Sequence, residues 1–323
     1  MGKYASSRSF GWGNQIDYAA HQALYDYYGR GHYGTVAAHT RRWGQFCVWL
    51  QAEFGVRDAT EITRAMIEGY SKALGERVQE DLVAVSYAQN LLSTINVVLE
   101  AMRGNRDIRI ESPSDWVGQR TTVRTEPPTG LDWDVVDGVT LRLHRVGLRR
   151  AKVVVKLARS FGLRLREATL WHIATWGRQK REQGAIDIRE GTKGGRGKEV
   201  ERWIPVSPRG KQALSEASNV RDTIGCGGNL LMFGESFDDF VNNGEVHRAR
   251  RHLHEFGIKG YHDLRSAWAC ERYQQLTGSL APVFHPSNPT DLETDRQVRE
   301  ILSRELGHDR IDVVAAYIGG RPE

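Results

Sequence analysis

Cysteine is scarce in this sequence of 323 residues, and the motifs of several common chemistries are missing from it. Cys47, Cys226 and Cys270 lie far apart and form no CxxC pair, so neither a disulfide framework nor a metal site is predicted. There is no GxxxxGK(S/T) loop, so ATP is not expected as a cofactor. No apolar run approaches the ~20 residues of a membrane-spanning helix. No apolar signal segment follows the N-terminus, and we therefore expect a cytoplasmic protein.

Positive charge is in only modest excess over negative charge. The formal net charge is +5, which permits nucleic-acid binding without establishing it. Hydrophobic residues make up 40% of the chain, enough to build real cores, and the length favours two domains over one.

The pattern along the chain divides it into four parts. Residues 1–32 are rich in Gly, Ser and Tyr and form an N-terminal extension to which the sequence assigns no role. Residues 33–105 repeat apolar side chains at helical spacing, as a small bundle of amphipathic helices does. Prolines and glycines in residues 106–130 indicate a linker, after which residues 131–323 form a second domain.

The second domain is predicted to be helical except at one hairpin. Ile186 and Ile188 alternate with polar residues, a basic glycine-rich stretch follows, and a second β-like run covers 202–206. Helices resume from about 208 and are interrupted by a proline-bearing loop near 278–293. The predicted fold class is therefore mainly α with a small antiparallel β-sheet, a helical domain being followed by a mixed α+β domain.

Basic side chains are candidates for contacts with a phosphate backbone. A basic helix is predicted at about 139–160, and its charged face fits a solvated surface as well as a DNA contact. The residues that we expect to contact DNA are Arg41, Arg42, Arg120, Arg124, Arg145, Arg149, Lys152 and Lys198.

Four short segments gain meaning from their order along the chain. They are Gly162-Leu163-Arg164-Leu165-Arg166-Glu167, the hairpin with Lys193, His262-Asp263-Leu264-Arg265, and Leu306-Gly307-His308 followed by Tyr317. Each alone is weak, but together they resemble the tyrosine recombinase (phage integrase) family. The resemblance covers residues 130–323 by motif. It extends to residues 33–105 only weakly, where the family has a helical core-binding domain.

This resemblance implies a catalytic role for each motif residue. Tyr317 would attack a DNA phosphate and form a 3′-phosphotyrosyl link. Arg164, Arg265 and His308 would hold the non-bridging oxygens, on which negative charge develops. His262 would act as the general base and Lys193 as the acid that protonates the leaving 5′-oxygen. Glu167 would support the His or Arg side chains.

Two assignments have competitors, and two features depart from the family pattern. Arg166 competes with Arg164, which is preferred because it directly follows Gly-Leu. Lys198 competes with Lys193, which is preferred because the family lysine falls at the end of the first strand.

The stretch from Arg265 to His308 is longer than in compact members of the family. Six residues follow Tyr317, so the usual exchange of C-terminal helices between protomers is in doubt, and residues 1–32 are a candidate for that linkage.

The expected function is that of a site-specific DNA recombinase or integrase that integrates or excises a mobile element. It would work beside the nucleoid, as a homotetramer on double-stranded DNA with a specific site, together with accessory DNA-bending or directionality factors. No cofactor and no metal are expected, since arginines replace the metal ions of other phosphoryl-transfer enzymes. The alternatives are a type IB topoisomerase, which acts as a monomer, and an inactive DNA-binding accessory protein.

Overall fold

The chain folds into two compact units, Met1–Thr121 and Thr122–Glu323. The computed structural model describes residues 8–193, 197, 199–224, 227–285 and 290–320. Lys198, Cys226, and part of the predicted loop near 278–293 lie outside these described residues.

The first unit is a bundle of helices. Its helices are α1 (Ile16–Tyr28), α2 (Tyr33–Phe54), α3 (Arg64–Gln79), α4 (Val85–Arg103) and α5 (Pro113–Val117), with short 3-10 turns at Arg8–Gly11 and Ala59–Glu61. Their apolar stripes meet in one core, in which Trp43, Phe46 and Leu50 of α2 are fully buried. Burial of these large side chains against α1 and α4 stabilises the bundle, because helices of this length are marginal alone.

The bundle extends beyond residues 33–105 at both ends. Helix α1, from the predicted extension, buries Ala20 and Leu24 in the core, and Trp43 Nε1 donates a hydrogen bond to the carbonyl of Ile16 (3.4 Å). From the predicted linker, Ile110 and Val117 are also buried in this core. The segment that we expected to be a linker therefore contributes its first part to the packing of the first unit.

The second unit is mainly helical with one small sheet among the described residues, as the sequence predicts. Its elements are α6 (Trp133–Arg145), α7 (Arg149–Phe161), α8 (Leu165–Leu170), α9 (Ile173–Gln183), β1 (Ala185–Asp187), β2 (Trp203–Pro205), α10 (Pro208–Ile224), α11 (Phe237–Asn242), α12 (Glu245–Glu255), α13 (Tyr261–Thr277), α14 (Leu292–Glu305), a 3-10 turn at Ile311–Val314, and α15 (Ala315–Ile318). Helix α7 runs through the core: Val153, Leu157 and Phe161 are fully buried.

The prediction of one basic helix at 139–160 is wrong. The chain leaves α6 after Arg145 and turns at Gly147, whose φ of 78° is one that glycine adopts without strain. It then starts α7 at Arg149. Two of the basic residues, Arg150 and Arg159, are buried and paired with acidic side chains, so the charges do not form one continuous exposed face.

The predicted hairpin is confirmed, with β1 and β2 paired antiparallel in the register Ile186 to Ile204. Both isoleucines are fully buried, and Trp176 of α9 donates its Nε1 hydrogen to the carbonyl of Asp187 (3.0 Å). We expected Lys193 at the end of the first strand, but strand β1 ends at Asp187. Lys193 lies instead in the segment that connects the two strands. None of the helices in the described residues has the length and apolar character needed to cross a membrane.

Candidate active site

Arg164 and Glu167 are positioned by the turn between α7 and α8. Gly162 ends α7 with φ 61°, and a Cβ at this position would lie 2.3 Å from the ring of Trp268, so the turn requires glycine. Arg164 then precedes the first residue of α8 and donates its backbone N–H to Glu167 Oε2 (2.8 Å). Arg164 Nη1 donates to the other carboxylate oxygen (2.7 Å), so the Gly-Leu-Arg-x-x-Glu spacing builds a closed local unit.

Glu167 is the acidic centre of an arginine cluster. Its side chain is fully buried and forms ion pairs with Arg164 (Nη1 to Oε1, 2.7 Å), Arg202 (Nη1 to Oε1, 2.8 Å) and Arg265 (Nη1 to Oε2, 3.7 Å). Burial alone would raise the pKa of this carboxyl, but the three guanidiniums and the Arg164 N–H lower it to about 2. Glu167 is therefore ionised at neutral pH, and the cluster carries an excess of positive charge.

Arg265 is held rigidly from α13. Its side chain is fully buried and donates to the carbonyls of Gly162 and Leu306, and its Nε lies 3.3 Å from Tyr317 Oη. Burial and the nearby arginines lower the pKa of Arg265 to about 10, so the guanidinium stays charged at neutral pH. The motif His-x-x-Arg thus supplies a preorganised cation that contacts the hydroxyl of Tyr317 directly.

His308 is the closest side-chain partner of that hydroxyl among the described residues. Its Nε2 lies 2.9 Å from Tyr317 Oη, 3.2 Å from Arg164 Nη2 and 3.5 Å from Arg265 Nη2. Because a guanidinium can only donate, Nε2 must act as an acceptor and carry no proton. Burial, followed by the charges of the neighbouring arginines, lowers the pKa of His308 to about 3, so the ring is neutral.

Tyr317 lies on α15 and points into this cluster. It is buried, with 4% of its surface exposed, and its ring stacks obliquely on His262 at 5.2 Å and on His308 at 5.6 Å between ring centroids. The backbone around it is fastened by the N–H of Val283, which donates to the carbonyl of Ile318 (2.8 Å). A tyrosine near the end of the chain is thus placed beside the arginines of the same protomer.

The sequence assigned the contact with the tyrosine hydroxyl to His262, and the structure places that residue differently. His262 is exposed and lies beside the ring of Tyr317, while His308 Nε2 contacts the hydroxyl of Tyr317. Burial, and then the charges of Arg265, Arg124 and Arg164, lower the pKa of His262, so it too is neutral.

Lys193 reaches the rim of the same site. It is exposed and lines one pocket with Arg164, Arg202, Gly307 and Arg304. Its competitor Lys198 lies outside the described residues. The other competitor, Arg166, lies over the ring of Phe237 (5.2 Å), whereas Arg164 pairs with Glu167 (2.7 Å) and belongs to the cluster.

Sequence reasoning missed Arg202 and Arg304. Arg202 is buried within the cluster, and Arg304 is exposed at the mouth of the pocket that Arg164 and Lys193 line. The available signal for Arg202 was a charged residue flanking an otherwise apolar strand, where an ion is costly to bury without a partner. No local signal distinguishes Arg304 from other exposed arginines.

The residues expected to contact DNA fall into two groups. Arg124 is mostly buried: it pairs with Asp263 and bonds Ser266 Oγ (3.1 Å), so it fastens residue 124 to the start of α13. Lys152 pairs with Glu216 (2.8 Å), and Arg42 contacts Thr94 Oγ1 (3.3 Å). The exposed members are Arg41, Arg120, Arg145 and Arg149.

A basic groove that the sequence did not predict lies between α6 and α12. The cationic or titratable side chains that line it are Arg142, His247, Arg248, Arg251 and His252. Glu255 offsets part of this charge, since it pairs with His252 (2.8 Å) and Arg251 (3.6 Å).

Comparison with known proteins agrees with this architecture. Residues 134–271 match the family model described as Integrase, a region that includes Arg164, Lys193, His262 and Arg265. The structure is similar to that of the Tn1549 transposon integrase in complex with transposon right-end DNA, with 12% identity, a TM-score of 0.58 and 95% of each chain covered. XerA recombinase is similar at 15% identity, with 94% of each chain covered and a TM-score of 0.41. No curated protein matches the sequence.

The arginine–histidine–tyrosine cluster lies in the unit that carries the Integrase match. Residues 134–271 match the Integrase family model, and the fold of the chain is similar to that of the Tn1549 transposon integrase. The match to the Integrase family model supports a role in site-specific DNA recombination.

Proposed function

We propose that this protein cleaves and rejoins DNA strands at a specific site through a 3′-phosphotyrosyl intermediate, and that it integrates or excises a mobile element. The observation that carries the proposal is the position of Tyr317 Oη, 2.9 Å from His308 Nε2 and 3.3 Å from Arg265 Nε. A nucleophile, an acceptor for its proton and a fixed cation for the phosphate thus lie within one cluster.

In the proposed cleavage step, Tyr317 Oη forms a bond to phosphorus and the bond from phosphorus to the 5′-oxygen breaks. Arg164 and Arg265 stabilise the charge that develops on the non-bridging oxygens, which is worth a few kcal/mol for each well-placed donor. Lys193 protonates the departing 5′-oxygen from the connecting segment of the hairpin. Rejoining is the reverse reaction with a 5′-hydroxyl as the nucleophile, so no external energy source is needed.

The proton of Tyr317 goes to His308 in this proposal, in place of His262. The unprotonated Nε2 already accepts from the cluster, and it is within hydrogen-bonding distance of the hydroxyl. A phosphate bound beside Arg164 and Arg265 would offset the positive charge that lowers the pKa of His308, and would thereby make the imidazole a stronger base. His262 packs against the ring of Tyr317 and holds its orientation.

Double-stranded DNA is the proposed partner, with the helical unit as a core-binding domain and the second unit as the catalytic domain. The Tn1549 integrase, whose fold is similar, was determined with DNA bound. The exposed Arg41, Arg120, Arg145 and Arg149 and the basic groove between α6 and α12 supply cations for phosphate contacts. Exchange of four strands would require a homotetramer on DNA, with accessory factors setting its direction.

Covalent trapping tests the proposal. The wild-type protein is mixed with nicked duplexes that carry candidate attachment sequences and is analysed on a denaturing gel. We expect a slowly migrating protein–DNA adduct with the wild type and none with Tyr317→Phe, which keeps the ring and removes the nucleophilic oxygen.

Two other outcomes would change the assignment. An adduct that persists in Tyr317→Phe would move the nucleophile elsewhere. Tight DNA binding with no adduct on any duplex would show an accessory DNA-binding protein in place of an enzyme.

A further inference from the structure

Arg202 joins three parts of the second unit from a buried position. Its backbone N–H donates to Asp187 Oδ1 (2.8 Å), and its carbonyl accepts from the N–H of Ile188 (3.0 Å), so the hairpin holds its backbone. Its side chain is only 5% exposed. A guanidinium so deeply buried requires charged or carbonyl partners to offset its lost hydration.

The two ends of the guanidinium contact two different parts of the candidate site. Nη1 lies 2.8 Å from Glu167 Oε1, the same oxygen that accepts Arg164 Nη1. Nε donates to the carbonyl of Glu305 (2.7 Å), in the last turn of α14 before His308. Arg202 therefore bridges the carboxylate that holds Arg164 to the turn that presents His308.

The turn itself is shaped around Arg202. Gly307 has φ 66°, and a Cβ on it would lie 3.1 Å from Cδ and 3.4 Å from Nε of Arg202. Glycine at position 307 thus permits both the positive φ of the turn and the close approach of the Arg202 side chain. His308 follows immediately, with its Nε2 directed at Arg164 and Tyr317.

We infer that Arg202 is a positioning residue for strand cleavage: through Glu167 and the carbonyl of Glu305 it sets the geometry between Arg164 and His308. The inference rests on the proposed function and assigns Arg202 no contact with DNA. A misplacement of catalytic groups by about 1 Å can lower a rate roughly 10²-fold. Lysine cannot reproduce the effect, because one ammonium does not span the two directions of a guanidinium.

Arg272→Lys is the matched control. Arg272 also contacts Glu305, but through the carboxylate (3.0 and 2.8 Å), and it makes no contact with Glu167 among the described residues. If an Arg202 variant only loosens the end of α14, its adduct-forming rate should resemble that of Arg272→Lys. If it disturbs the link to Glu167, its rate should fall well below that of Arg272→Lys.

The experiment measures the adduct-forming rate at saturating nicked duplex, the DNA dissociation constant and the melting temperature of the wild type, Arg202→Lys, Arg202→Met and Arg272→Lys. We expect Arg202→Lys to cleave roughly 30- to 100-fold more slowly, with an affinity within about threefold of the wild type. Arg272→Lys should stay within about threefold in both quantities. Arg202→Met tests the same link without a buried charge, should Arg202→Lys fold poorly.

A double variant separates action through Glu167 from an independent effect. If Arg202 works through Glu167, adding Arg202→Met to Glu167→Gln should slow cleavage far less than the product of the two single effects. Wild-type-like cleavage by both Arg202 variants, or loss of DNA affinity in place of rate, would overturn the assignment of Arg202 alone. Absence of an adduct with the wild-type protein would overturn the proposed function, and the assignment with it.

Discussion

The two units bury different kinds of side chain. In the described part of the first unit, Asp58 is the only buried charged residue, and the core is otherwise aromatic and aliphatic with a few polar groups. The second unit buries many charges, including Arg150, Glu167, Arg265 and Arg299. Burial of an ion is unfavourable unless a partner is placed with good geometry. The second unit must therefore specify its charge partners as well as its packing.

Within the second unit, buried charge has two uses. Arg150 pairs with Glu245 (2.7 Å) and Glu235, joining α7 to α12 and to the segment before α11. The cluster of Arg164, Arg202 and Arg265 has a single carboxylate, Glu167, and so retains net positive charge. The first set pairs one arginine with two carboxylates, has no excess of positive charge and contributes to stability. The second is unbalanced in the direction that binds a phosphate.

The sharpest test of this contrast is Arg150→Met. Removal of one partner of a buried pair leaves Glu245 uncompensated, and we expect the free energy of unfolding to fall by about 3–5 kcal/mol. Chemical denaturation measures the loss, and the adduct-forming rate per folded molecule should not change. Lys152→Met on the same helix is the control. Its partly buried pair with Glu216 should cost less to remove than the buried pair of Arg150, since Lys156 also contacts that carboxylate and still compensates it. Equal losses in both variants would remove the distinction between the fully buried and the partly buried pair.

Arg265→Lys tests the other set. It keeps a positive charge but loses the planar fork that holds Gly162, Leu306 and Tyr317. We expect adduct formation to slow by roughly 10²–10³-fold, as when one preorganised donor is removed from a transition state. Single-turnover trapping at saturating DNA gives the rate. A decrease that appears only in DNA affinity would assign Arg265 to binding and not to the chemical step.

Lowering the pH should reduce the free energy of unfolding through the cluster around Glu167. Because the folded state lowers the pKa of Glu167 to about 2 from about 4.5, ionised Glu167 contributes up to about 3 kcal/mol above pH 4.5. That contribution is lost as the pH falls towards 2. His308, whose pKa is lowered to about 3 from 6.5, acts in the same direction between those values, since only the unfolded chain takes up its proton there.

Denaturation curves at several pH values check this prediction. Glu167→Gln should remove the share of the loss below pH 4.5 that is due to Glu167 and retain the loss due to His308 between pH 6.5 and about 3. An unchanged pH profile in the variant would mean that other carboxyls dominate acid unfolding.

The smallest effect is expected in the first unit. Asn96 is buried, its Nδ2 donates to the carbonyl of Ile110 (2.8 Å), and its Oδ1 accepts from the N–H of Ile110 (3.1 Å). Asn96→Ala leaves both backbone groups without this partner and should cost about 1–3 kcal/mol in the free energy of unfolding. Gln89→Ala, which removes an exposed bond to the carbonyl of Gly118 (2.6 Å), should cost less. If Asn96→Ala lowered the free energy of unfolding as much as Arg150→Met, the expected energetic difference between buried polar groups of the first unit and buried charges of the second would be wrong.

The sequence by itself determined the features that depend on neighbouring residues. The helical character, the hairpin at 185–206, and the Gly-Leu-Arg-x-x-Glu unit are set by periodicity, glycine conformation and i,i+3 spacing, which act over a few residues. The order of the motifs gave the resemblance to tyrosine recombinases, and residues 134–271 match the Integrase family model. Tyr317, Arg164 and Arg265 were selected on that basis, and the structure brings them together.

Tertiary structure alone decided which charges meet. His262 and His308 are equally plausible partners of Tyr317 from their residue types, and only the packing of α13, α14 and α15 places His308 Nε2 against the hydroxyl. Arg150 and Arg202 resemble exposed basic residues in the sequence, but each is buried because a carboxylate distant in the chain, Glu245 or Glu167, lies beside it. A local pattern can mark a charge beside an apolar strand, as for Arg202, but it does not identify the partner, because the energy of a buried ion is set by its surroundings in space.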